Sequence, residues 1–116
     1  MISEDLSPSI RLIYLHGFKS SPKSQKAQSL IDYTQNELIE LIDQGKLEVL
    51  VPTLPYKPEQ AIALIEELIL DSVKTVLIGS SLGGFYSIYF AEKFHCKAVL
   101  VNPLVELHYG LAETFL

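Results

Sequence analysis

The sequence predicts an α/β protein: a doubly wound parallel sheet with helices on both faces and four strands in the order 2-1-3-4. Three observations lead there. Four short apolar runs, at residues 12–15, 48–51, 75–78 and 98–101, are rich in Val, Ile and Leu and do not alternate with polar positions. That is the pattern of strands covered on both faces. Segments with helical periodicity separate the runs, so the element order is β-α-β-α-β-α-β. Right-handed crossovers then leave few topologies, and the commonest of them has its switch point between the first and third strands.

Each helix has its own signals. In the first, Ala27, Leu30, Ile31, Thr34, Leu38, Leu41 and Ile42 recur at steps of three and four. Ser21 followed by Pro22 supplies an N-cap and first turn, and Gly45 supplies the stop. Pro58 opens the second helix, whose stripe is Ala61, Ile62, Ile65, Leu68 and Ile69. Leu82, Phe85, Tyr86, Tyr89 and Phe90 form the third stripe. Repeats and low-complexity stretches are absent.

Composition bounds the class. With 116 residues, 48% of them hydrophobic and 20% charged, the chain is expected to form one domain over residues 1–116. A single Cys excludes an internal disulfide, and no Cys/His cluster has metal-ligand spacing, so no metal and no cofactor are expected. Residues 1–10 are acidic and polar, unlike a signal peptide, and no apolar run reaches the ~18 residues of a membrane span. A cytoplasmic chain without a membrane partner is the expectation. The net charge of −5 opposes a phosphate-backbone ligand, so nucleic acid is not an expected partner either.

Ligands in such sheets bind beyond the carboxyl ends of the strands at the switch point. The segments placed there are His16-Gly17-Phe18 and Gly79-Ser80-Ser81-Leu82-Gly83-Gly84. The second contains G-x-S-x-G between a predicted strand and a predicted helix, the context of a nucleophile elbow. The turn is so tight that flanking side chains would collide, hence glycine two before and two after Ser81. Ser81 then stands at a helix N-terminus, where free N–H groups favour developing negative charge. Leu82 N–H is expected to be one oxyanion donor and Phe18 N–H the other. A Walker loop is excluded because no Gly-Lys-Ser/Thr follows, and Ser81 stands where a dinucleotide fingerprint has its middle glycine. The alternative is a serine N-cap in a glycine-rich turn that binds a phosphate or nothing. His16 is a substrate-pocket candidate rather than the general base, because it sits where a loop-orienting histidine would sit and precedes the serine.

Tyr14-Leu15-His16-Gly17-Phe18, Ser20-Ser21-Pro22 and Lys26-Ala27 resemble the opening of the YqiA-like esterases, a small bacterial family of α/β-hydrolases also described as YqiA/YcfP-type. Gly79-Ser80-Ser81-Leu82-Gly83-Gly84 and Val101-Asn102-Pro103 resemble its second and third landmarks, with nearly the same spacing. The resemblance implies a cytoplasmic serine hydrolase of the α/β-hydrolase fold acting on small acyl esters or thioesters, with Ser81 as nucleophile. It also implies a departure. Family members continue through further strands that carry the acid and the catalytic histidine, so a chain of 116 residues is expected to be a C-terminally shortened version, weak as an isolated catalyst.

Only two histidines follow Ser81. His95 falls at the far end of the third helix, ~20 Å away at ~1.5 Å per residue. His108 follows the fourth strand and is the remaining weak candidate for a base, with Glu106 too close to it in sequence to orient it in the usual way. The alternative reading is a non-catalytic binding domain, or an N-terminal portion completed by a partner segment. Shortening would leave the strand at 98–101 with an open apolar edge, from which dimerisation, cover by residues 104–116 or limited solubility is expected. Among lesser features, Tyr56 is a pocket candidate or a loop anchor. Lys19, Lys23 and Lys26 read as a solvated basic face rather than a seat for an anionic group. Phe85, Tyr86 and Tyr89 read as core, and Cys96 as packing.

Overall fold

The computed structural model describes residues 8–17, 21–69 and 73–103. The elements are β1 (Ile10–Leu15), α1 (Gln25–Glu37), α2 (Ile39–Asp43), β2 (Leu47–Leu50), α3 (Pro58–Leu68), β3 (Lys74–Ser81), α4 (Leu82–Phe94) and β4 (Lys97–Pro103). All strand pairs are parallel and the order is β2-β1-β3-β4, as the sequence predicts. Ile10 is level with both Leu47 and Lys74, and Leu15 is level with Gly79. That register delivers the loop after β1 and the turn after β3 side by side at one edge of the sheet.

Side-chain parity divides the helices between two faces. Ile13, Leu15 and Leu77 point into a core shared with Leu54, Ala61 and Ile65, and with Leu82, Tyr86 and Phe90 of α4. So α3 and α4 cover one face. Tyr14, Ile78 and Val101 have the opposite parity and meet Lys26, Ser29 and Leu30 of α1 across a 480 Å³ trough. Val99, of the same parity, remains 51% exposed on the outer strand. Arg11 ties β1 to β2 and to α3: Nε lies 2.9 Å from Glu48, and Nη1 donates to the Leu68 carbonyl at the end of α3. A cation there satisfies a carbonyl that the helix leaves unpaired.

The first helix departs from expectation in two ways. Its N-cap is Ser24, whose hydroxyl accepts from Ala27 N–H, and not Ser21. Ser21 instead closes a turn before the helix: its carbonyl accepts from Ser24 N–H and its hydroxyl from Lys23 N–H. The predicted continuous helix also breaks at Leu38, where φ is −119° and ψ is 15°. Leu38 N–H still bonds the Thr34 carbonyl, and α2 restarts from the Leu38 carbonyl. Gly45, with φ of 73°, ends α2 at the predicted stop.

In α4 the buried residues are Leu82, Gly83, Gly84, Tyr86, Ser87 and Phe90. Tyr89, expected in the core, is 36% exposed. The reason is the close seat of α4 on the sheet through its small residues, which rotates the 89 position outward. Phe85 packs partly buried against the core, as does Cys96. Burial pushes the Cys96 thiol up, and its Sγ lies 3.6 Å from the Phe90 carbonyl.

Candidate functional site

Ser81 ends β3 and caps α4 with φ of 55° and ψ of −117°, one of two non-glycine residues at positive φ among those described. A residue with a Cβ pays about 1–3 kcal/mol for such a conformation, which persists only where its surroundings enforce it. Here they do. A Cβ on Gly83 would lie 1.9 Å from the Leu15 carbonyl oxygen, and one on Gly79 would lie 2.2 Å from the Gly83 carbonyl oxygen. Neither glycine tolerates a side chain. Ser87 adds to the lock by donating to the Gly83 carbonyl at 2.8 Å. Pairing continues into the turn, with Ser80 level with Val101 and Ser81 level with Pro103 across a register shift. This is why β3 runs three residues past the predicted 75–78. The serine side chain is exposed. Leu82 N–H, the first of α4, has no partner within the helix.

Gly17 faces this turn, and a Cβ there would come within 3.1 Å of Ser81 Cβ. The close approach is held from the other side by His16. Its Nε2 accepts from Leu54 N–H at 2.9 Å, so Nδ1 carries the proton and donates to the Gly17 carbonyl at 2.9 Å. Both ring nitrogens are spent on backbone groups, and the ring is 6% exposed. His16 therefore pins the loop after β1 to the segment after β2. It orients the loop, as its position after the first strand suggests, and unlike a pocket residue it does not line the cleft beside Ser81.

Beside Ser81 lies a 330 Å³ cleft between Gly17, Ser80 and Ser81 and the start of α1, where Ser24, Gln25 and Lys26 face it. Lys26 Nζ donates to Ser80 Oγ at 3.3 Å. A model of an uncharacterised protein family, UPF0227, matches residues 11–115. The chain belongs to that family. It is the family that includes YqiA, so the resemblance drawn from the landmark residues holds over nearly the whole chain.

The matched stretch takes in Gly17, Ser81 and every other candidate site residue. Tyr56 is not on the wall of the cleft: it is 73% exposed in the segment between β2 and α3, two residues past the Leu54 that His16 holds. His95 is the C-cap of α4, at the opposite end of that helix from Ser81, in a left-handed conformation with φ of 57°. Phe18, the expected second oxyanion donor, lies outside the described residues, as do Lys19, Glu106 and His108. No described histidine or carboxylate lines the cleft. Among the described residues no three His, Cys, Asp or Glu side chains are grouped to hold a metal, and no helix is long and apolar enough to cross a membrane. What the sequence did not place is Lys26 against Ser80. The two are 54 positions apart, and only the parallel pairing of β1 with β3 brings the start of α1 over that turn.

Proposed function

We propose that the chain is a serine hydrolase acting on small acyl esters or thioesters. The observation that carries this reading is the enforced positive φ of Ser81 between two glycines that admit no Cβ. Nothing in packing alone requires a serine there, since glycine would sit at that φ without strain. Ser81 Oγ attacks the acyl carbon, and the carbonyl oxygen becomes an oxyanion held by Leu82 N–H and Phe18 N–H. Collapse expels the alcohol or thiol, and water then releases the acid from the acyl-serine. Donors placed for the oxyanion are commonly the largest single contribution in this chemistry, about 3–4 kcal/mol for one donor.

The proton on Ser81 needs a base. His16 is committed to Leu54 and Gly17, and His95 is at the wrong end of α4. His108 is the remaining candidate, and a partner segment is the other source. Loss of the histidine from a serine triad costs about 10⁶-fold in turnover, so slow hydrolysis is expected from this chain alone. The absence of a histidine or carboxylate among the described cleft residues favours a second reading, a binding domain that keeps the elbow without turnover.

Hydrolysis of p-nitrophenyl butyrate by the wild-type chain and by Ser81→Ala separates the two. The hydrolase reading expects a slow rate above buffer that disappears in Ser81→Ala. Equal rates in both proteins would overturn it and leave the binding reading.

A further inference from the structure

Three cationic side chains among the described residues have a polar side-chain partner, and one of them is unlike the others. Arg11 pairs with Glu48, and Lys93 with Glu66. Lys26 pairs with no carboxylate among the described residues, and its ammonium is turned instead onto Ser80 Oγ, the residue before Ser81. It also sits in the first turn of α1, where a cation opposes the helix dipole and lowers stability. The site is therefore poor for folding but faces the candidate nucleophile. Within the cleft Lys26 is the only charged side chain among the described residues, and its neighbours there are serine hydroxyls, the Gln25 amide, the Gly17 backbone and the Tyr14 ring.

We propose that Lys26 is a specificity-determining residue that makes the Ser81 site select esters carrying an anionic oxygen group close to the reacting carbonyl. The proposal rests on the reading of Ser81 as an acyl-ester site. An incoming carboxylate replaces Ser80 Oγ as the partner of the ammonium, exchanging a neutral hydrogen bond for a charge-assisted one. Ser80 Oγ remains beside the exchanged group as a second donor. Because the ammonium is near solvent, the gain is of the order seen for exposed ion pairs, about two- to fivefold in affinity, and it falls as salt rises.

Two nearly isosteric ester pairs test this by binding alone. Monomethyl succinate against methyl butyrate places the carboxylate on the acyl side. The 3-acetoxypropanoate anion against propyl acetate places it on the leaving-group side. Dissociation constants come from amide shifts of Gly17, Ser80 and Ser81 in the full chain at low salt, for wild type, Lys26→Gln and Lys26→Arg. The expected result is an anionic member bound about two- to fivefold more tightly in one pair. That ratio should fall to near one in Lys26→Gln and persist in Lys26→Arg, and the pair that responds locates the anion. A wild-type ratio near one in both pairs would overturn the proposal, as would a ratio that Lys26→Gln leaves intact, or no binding by any of the four esters. Thermal unfolding of Lys26→Gln at no lower temperature than wild type excludes loss of fold as the cause. Turnover is not read, so the hydrolase reading stands or falls separately on the Ser81→Ala comparison.

Discussion

Ser81 takes its positive φ because the chain leaves a parallel strand and enters a helix with no intervening loop. The backbone requirement is local and severe, which is why the glycines at 79 and 83 announce it in the sequence. His16 is legible only in part. Its place after the first strand marks it as a loop residue, but its acceptor role towards Leu54, 38 positions away, depends on how the loop after β2 folds back. That role predicts a specific behaviour. Replacing His16 with Phe removes the acceptor and leaves a buried Leu54 N–H unsatisfied, at a cost of about 1–3 kcal/mol in chemical denaturation. His16→Gln, whose side-chain oxygen can accept, should recover part of that stability and keep Ser81 reactive. A catalytic His16 would give the reverse: stable Gln and Phe variants with an inert serine.

The strands are legible because two-sided burial leaves a continuous apolar run, and their order follows from handed crossovers once the helices are located. The break at Leu38 was not, since no glycine or proline stands near it to interrupt the periodicity. Ser21-Pro22 imitates a helix start, and Ser24 wins because its hydroxyl reaches Ala27 N–H while Ser21 is used in the preceding turn. The seat of α4 on the sheet has a consequence for pH. Tyr86 is 2% exposed in the shared core, and burial, with a smaller push from Glu59, raises its phenol to about 12 from an ordinary value near 10. The folded chain holds the neutral phenol while the unfolded chain ionises it. Stability from this residue is therefore full below pH 10 and is lost as pH rises through 10 to about 12. Denaturation midpoints measured across that window should fall more steeply for wild type than for Tyr86→Phe. Parallel slopes would show that the phenol does not titrate on unfolding.

At the scale of the whole molecule, four parallel strands bring two loops together at one end of the sheet, and that convergence makes the site. The topology was legible from the sequence, so the meeting of these two loops at one end of the sheet was too. The pairing of Lys26 with Ser80 was not, because it arises from the register of β1 on β3 and the point at which α1 begins. Membership of UPF0227 places the chain among relatives without naming a reaction, so the chemistry rests on the elbow itself. The most direct measurement is labelling of the folded chain with a fluorophosphonate, followed by peptide mapping, beside Ser81→Ala. The account predicts covalent modification confined to Ser81, slow but saturating one site, and none in Ser81→Ala. A folded wild-type chain that stays unmodified at saturating probe, or is modified equally in Ser81→Ala, would contradict it.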